Sequence, residues 1–348
     1  MSADLRLGKQ CGLRRMATPE GFFAMVALDQ RPPIANLVSA KRGIAAAEVT
    51  YRDMVDVKRV IVEAVGRHAS AVLCDPNYGF PAALPGLPAH IGLVATLEDH
   101  RFEDTPGGRR SHSIRDWSVA KIRRMGADGV KVLAWYRPDA DPSVLAHQKA
   151  YVEAVGEECR QHDIPYVLEL LVYPFPASRA HTVDYVESPE KMPELVVESV
   201  REFAQPRYGV DLFKLESPLP GSTLPARDGG AAQARAQAGF DEMGAICRAA
   251  GIPWVMLSAG VTSKQFVRVM EYAYAAGASG FLAGRAIWWE AMQHFPDLDK
   301  CLRELRKRGP EVIAELDSLT RRAGTAWQAD YGLLQRVEAE GDVCAAYK

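Results

Sequence analysis

The chain has 348 residues, 48% hydrophobic, 25% charged and 8% aromatic, with 42 basic and 44 acidic side chains for a formal charge of −2. This composition excludes a disordered tail, a collagen-like fibre and a coiled coil, and it offers neither the basic excess that attracts nucleic acid nor a polybasic face for anionic lipid. Six cysteines (Cys11, Cys74, Cys159, Cys247, Cys301, Cys344) without CxxC spacing read as reduced thiols of a cytosolic protein, and no apolar run approaches the roughly 20 residues of a membrane-spanning helix.

The N-terminal segment, 1–20, is positively charged but lacks an apolar h-region, so it is not read as a secretory signal. Eight short apolar runs then follow: FFAMVALD (22–29), SAVLCD (70–75), IGLVAT (91–96), VKVLAWY (130–136), YVLELLV (166–172), VDLFKLE (210–216), PWVMLS (253–258) and GFLAGR (280–285). They have strand length and are continuous, as strands buried on both faces are. Stretches of helical period lie between most of them, at 53–69, 114–127 and 263–278, with Gly126, Gly251 and Gly277 closing helix ends. Eight strands alternating with helices predict an α/β fold, a (β/α)8 TIM barrel over 21–295. The absence of GxGxxG after the first strand counts against an open dinucleotide-binding sheet. Echoes within the chain, GADGVKV against GASGFLA and DIPYVLEL against GIPWVML, fit repeating barrel units. The Pro/Gly/Ala-rich stretch 217–239 reads as a long loop or lid on the active-site face, and 296–348 as a C-terminal helical extension on the barrel or on a partner subunit.

Ionisable residues interrupt the apolar runs near their C-terminal ends, the face on which barrels build active sites. They are Asp29, Asp75, Lys131, Glu169, Lys214, Glu216 and Arg285. Lys214 stands in V-D-L-F-K-L-E and has two readings. One is an amine that loses proton affinity relative to about 10.4 and attacks a carbonyl; the other is a structural partner of Asp211 or Glu216. Lys131 either orients a substrate oxyanion and supplies the second cation, or pairs inside the barrel. Glu169 reads as a general acid/base, as a salt bridge to Lys131, or as both. Asp29 either fixes a hydroxyl or a lysine, or caps a strand end; capping is the reading for Asp75, ahead of Pro76. Ser258-Ala259-Gly260 and Gly284-Arg285 end the last two strands and together read as an anion site. The eight histidines show no HxH or HExxH spacing, so no metal or other cofactor is expected, although a metal-dependent barrel lyase or isomerase is the rival chemistry. Trp288 and Trp289 read as core or interface aromatics.

Several segments, in order along the chain, carry a resemblance: ALDQR (27–31), DPNYGFPA (75–82), TPGGR (105–109), GADGVKVLAWYRPD (126–139), LELLVY (168–173), PRYGVDLFKLESP (206–218), LSAGV (257–261) and AGRAIW (283–288). Through them the chain resembles the class I tagatose-1,6-bisphosphate aldolases. The resemblance implies a Schiff-base lysine at Lys214, an acid/base carboxylate at Glu169, and Lys131 and Asp29 beside the reacting carbons. It implies a phosphate loop at Ser258, Gly260, Gly284 and Arg285, with Gln30 and Arg31 reaching a second phosphate or the sugar hydroxyls. Segments 277–288 and 135–139 look at least as much like sulfofructose-phosphate aldolases, whereas Glu169-Leu-Leu-Val-Tyr173-Pro is closer to the tagatose type. The implied function is metal-free cleavage of a phosphorylated ketohexose to dihydroxyacetone phosphate and glyceraldehyde 3-phosphate, in a cytoplasmic enzyme that by analogy is a homo-oligomer. Alternatives are a sulfofructose 1-phosphate aldolase and an inactive sugar-phosphate-sensing regulator.

Overall fold

A strand enclosed on both faces needs apolar residues at successive positions, and Phe23–Leu28 is buried at all six of its own. In the computed structural model, which describes residues 7–182, 187–188, 191–330, 344 and 347, all eight apolar runs form strands. They are β1 (Phe23–Leu28), β2 (Ala71–Cys74) and β3 (Gly92–Thr96), then, after a short ribbon of β4 (Glu103–Thr105) and β5 (Gly108–Arg110), β6 (Gly129–Trp135), β7 (Tyr166–Leu171), β8 (Leu212–Leu215), β9 (Trp254–Met256) and β10 (Gly280–Ala283). Apart from the antiparallel ribbon, they close a parallel barrel in the order β1-β10-β9-β8-β7-β6-β3-β2. The expected TIM barrel is therefore the observed fold.

Alternation along each strand divides the core in two. Ala24, Val26 and Leu28 face the helical shell, while Phe23, Met25 and Ala27 join Ala71, Leu73, Val94, Val167, Leu212, Val255 and Leu282 inside the barrel. The N-terminal segment contains the helix Leu7–Met16, which closes the barrel floor. Its Leu13 and Met16 join the interior cluster together with Trp327, from beyond the C-terminal helix. Local chemistry sets the helix ends: Thr50 and Thr262 form capping boxes with Asp53 and Gln265, and Gly126 and Gly251 end their helices in the left-handed region.

Two expectations change in detail. The segment 217–239 is a loop only to Gly230, because the alanine-rich half starts the 20-residue helix Ala231–Ala250. Alanine is the strongest helix former, which outweighs the glycine and proline around it. The C-terminal extension contains the 26-residue helix Leu298–Ala323, which packs on the barrel's own helices Tyr51–Val65 and Arg285–Met292. The rest of that expected extension, 331–348, lies outside the described residues except for 344 and 347. Among the described residues, no helix is long and apolar enough to cross a membrane.

The barrel seam between β10 and β1 depends on Gly280. Its φ is +147°, and a Cβ there would lie 1.9 Å from the carbonyl oxygen of Phe23. Gly280→Ala is expected to destabilise the chain by upward of about 3 kcal/mol. Gly43→Ala, also at positive φ but with nothing within 4 Å of a Cβ, is expected to cost only about 1 kcal/mol. Midpoints of urea unfolding compare the two.

Candidate active site

The alternation that fills the barrel interior with apolar residues also sends charged ones inward at its C-terminal mouth. On β8, Leu212 faces the interior and so does Lys214; on β7, Val167 is followed by Glu169; on β6, Lys131 takes the inner face between the outward Val130 and Val132. The β7–β8 register places Glu169 directly beside Lys214. Glu169 Oε2 is 2.9 Å from Lys214 Nζ and 2.6 Å from Lys131 Nζ, so one carboxylate oxygen serves two ammonium groups. Neither sequence-suggested partner of Lys214 pairs with it: Asp211 binds Lys9 at 2.6 Å, and Glu216 binds Lys191 at 3.2 Å.

Lys131 is 1% exposed and lies beneath the cleft. It donates to Asp29 Oδ2 at 2.8 Å and to Glu98 Oε1 at 2.7 Å, in addition to its contact with Glu169. Three carboxylates thus converge on one ammonium. Burial works against its charge, yet Asp29, Glu169 and Glu98 hold Lys131 well above the usual lysine range. Burial would raise Asp29, but Lys131, then Lys214 and Arg31, pull its carboxyl far below the usual carboxylate range. For Glu98 burial wins over Lys131 and Arg31, and its carboxyl is raised. Glu98 is a member of the cluster that sequence reading missed. It follows β3 by two residues, the same kind of position that singled out Asp29 after β1.

The cleft above this cluster holds about 600 Å³ of space, including the part open to solvent. Asp29, Gln30, Arg31, Glu169, Lys214, Ser258, Gly284 and Arg285 all line it, as does the unexpected His100. Burial, with Arg31 nearby, lowers the His100 imidazole to about 4, so it is neutral at neutral pH. Asp29 Oδ1, Gln30 Oε1, Arg31 Nε and Glu98 Oε2 are buried polar atoms without a hydrogen-bond partner among the described residues. Four such atoms gathered at one cleft suit a ligand rich in hydroxyl groups. Arg31 spans to Glu98, donating from Nη2 to its backbone carbonyl at 3.2 Å.

The loops after β9 and β10 meet over the other side of the cleft. Ala259 and Gly260 both have positive φ, 45° and 88°, and a Cβ on Gly260 would fall 3.0 Å from the Arg285 guanidinium. A side chain at this position would crowd that cation and strain the backbone at positive φ. Gly260 therefore supports Arg285 and does not itself line the main cleft. Gly284 caps the helix Arg285–Met292, whose N-terminal dipole end adds to the positive field. Asp75, by contrast, accepts from the backbone N–H groups of Asn77, Tyr78 and Gly79 and pairs with buried Lys58, as a cap does.

A second feature of the mouth is fully buried Arg109, from β5. Its guanidinium lies 4.4 Å from the Phe102 ring, 4.6 Å from Trp135 and 5.0 Å from Tyr173, and it donates to the carbonyl of Thr182. This aromatic box fastens the β4–β5 ribbon over β6 and β7. Leu171 and Leu257, of the same cluster, line the cleft.

A closed parallel barrel with a buried set of lysines and carboxylates at its C-terminal mouth is the architecture of a barrel enzyme. Residues 23–290 match the DeoC/LacD family of aldolases, and the chain belongs to that family and is an aldehyde-lyase. It is 32% identical over 337 residues to a tagatose 1,6-diphosphate aldolase of Listeria monocytogenes, covering 95% of this chain and 96% of that one. The corresponding enzyme of Lactococcus lactis is 31% identical, covering 92% and 97%. Among solved structures, a fructose-bisphosphate aldolase of Plasmodium falciparum shares the fold with a TM-score of 0.63 at 12% identity, over 93% of this chain and 99% of that one. An archaeal fructose 1,6-bisphosphate aldolase does so with a TM-score of 0.53 at 16% identity, over 87% and 98%.

Lys131→Met would leave three buried carboxylates without their common cation. At pH 8 the expected loss of stability is about 3–5 kcal/mol. The depressed Asp29 contributes stability above its unfolded pKa of about 3.9 that is lost as pH falls through its folded value. Removing Lys131 takes away the largest part of that contribution, so the wild-type advantage should shrink as pH falls below about 4. Denaturant midpoints of both proteins across pH test this.

Proposed function

We propose that the chain is a class I aldolase that cleaves a phosphorylated ketohexose, tagatose 1,6-bisphosphate, to dihydroxyacetone phosphate and glyceraldehyde 3-phosphate. The observation that carries the reading is the Lys214–Glu169 contact at 2.9 Å inside the cleft. Lys214 Nζ must lose a proton before it attacks, and Glu169 Oε2 is within reach to take it. The neutral amine adds to the C2 carbonyl, and the carbinolamine loses water to give an iminium ion. The C3–C4 bond then breaks, its electron pair moving toward the iminium to form an enamine, while Glu169, directly or through water, removes the C4 hydroxyl proton. Glyceraldehyde 3-phosphate leaves. The enamine is protonated at C3, and water releases dihydroxyacetone phosphate and free Lys214.

In this reading Arg285 and the loops at Ser258, Gly260 and Gly284 hold the C1 phosphate, which aligns the ketone with the amine. Asp29, Gln30 and Arg31 meet the hydroxyls or the second phosphate, consistent with their unpartnered buried atoms. Lys131 acts from below by fixing Asp29 and Glu169. The tagatose substrate is favoured by the named relatives of Listeria and Lactococcus. The proposal includes a cytosolic setting, homo-oligomeric assembly and catalysis without a cofactor. Sulfofructose 1-phosphate is the second substrate to test, on the resemblance of segments 135–139 and 277–288. A sugar-sensing regulator without activity is disfavoured by the intact charged cluster.

Borohydride added with substrate should trap a covalent adduct on Lys214, seen by peptide mass spectrometry, in the presence of EDTA. Full activity of Lys214→Ala would end the assignment. A cleavage panel of tagatose and fructose 1,6-bisphosphates and sulfofructose 1-phosphate should show the highest kcat/KM for tagatose 1,6-bisphosphate. Arg285→Ala is expected to raise KM by about tenfold or more, since it removes a charge-assisted contact; an unchanged KM would remove it from the phosphate loop.

A further inference from the structure

The opposite end of the barrel carries a second cleft, about 1220 Å³ on the same count as the mouth. It lies between the N-terminal helix, the segments entering β2 and β3, and the C-terminal helix. We propose that this cleft binds a pyrophosphate-bearing small molecule.

Its charge is the first observation. Arg14, Arg15, Arg67 and Arg321 line it with His68 and His90, against a single lining carboxylate, Asp317. In a chain of net charge −2, four guanidinium groups around one cavity are a local reversal of sign. Two of them are already paired: Arg15 with Asp128, and Arg321 with Asp317 and Glu20. Arg14 and Arg67 have no carboxylate partner among the described residues. Arg14 lies in the last turn of the helix Leu7–Met16, and Arg67 belongs to the turn Gly66–His68. They thus reach the cleft from separate elements.

The cleft's shape is the second observation. Ile91 and Ile313 are buried among its lining residues and give it an apolar base, while Arg14, Arg15, Arg67 and Arg321 are exposed around it. Guanidinium binds phosphoryl oxygens in bidentate fashion, so Arg14 and Arg67 would each take one phosphoryl group of such a ligand. Such a ligand would tie the N-terminal helix, which closes the barrel floor, to the barrel body and the C-terminal helix. Its binding would raise the resistance of the whole chain to unfolding.

Inorganic pyrophosphate is titrated into the full chain at low ionic strength by calorimetry, with thermal unfolding followed in parallel. One saturable site and a raised unfolding temperature are expected, both weakening with salt. The exposed double substitution Arg14→Ser with Arg67→Ser should weaken binding by about tenfold or more while leaving the unfolding temperature of the unliganded chain and kcat/KM for sugar cleavage within about twofold or a few degrees of the parent. Arg285→Ala should leave the binding unchanged, which separates this cleft from the anion loops at the mouth. Absence of saturable binding overturns the proposal, as does binding that survives the double substitution or is lost with Arg285→Ala.

Discussion

The barrel mouth is organised around one oxygen atom. Glu169 Oε2 is shared by the ammonium groups of Lys131 and Lys214, and both lysines and the glutamate are nearly excluded from water. Two cations held this close repel each other, and an unpaired charge at this depth would be prohibitive, so the carboxylate must sit between them. That demands an exact side-by-side placement of β6, β7 and β8. A one-residue slip of any of these strands would turn its charged residue outward, into the apolar layer against the helices.

The wider cluster is balanced. Lys131, Lys214 and Arg31 stand against Asp29, Glu98 and Glu169, with Arg31 leaning on Glu98 and Lys131 touching all three acids. The group can therefore pass a proton from an amine to a carboxyl without creating net charge in the interior. Burial raises the Glu98 carboxyl, whereas the surrounding cations hold that of Asp29 low. The cleft draws Lys214 and Glu169 from strands and Ser258, Gly284 and Arg285 from the ends of tight loops, so it combines rigid backbone with close-approach backbone. The Arg109 box fixes the β4–β5 ribbon beside the mouth with three aromatic faces.

Much of this was legible in the residues. Continuous apolar runs gave away the strands, and lysines inside them could only face a paired site. The identity of the pairs was not legible, because Lys214 and Glu169 are 45 positions apart and Lys131 and Asp29 are 102 apart. Nearer acids, Asp211 and Glu216, were plausible partners until Lys9 and Lys191 proved to occupy them. Glu98 escaped notice because it stands beyond its strand in the polar run Leu97-Glu98-Asp99-His100, where a charge normally signifies solvent. The ribbon of β4 and β5 has three residues per strand, too few for an alternation to register. The helix at Ala231 was hidden by the Pro- and Gly-rich loop that leads into it.

The stopper at the barrel floor joins a segment ahead of the first strand to one beyond the last. Leu13 and Met16 wait beneath the barrel for Trp327, which is made more than three hundred residues later. During translation the eight strands can therefore be out of the ribosome while the bottom of their apolar interior is still uncovered. The nascent barrel is an open cup until Trp327 arrives, so sealing it waits for a residue made after all eight strands.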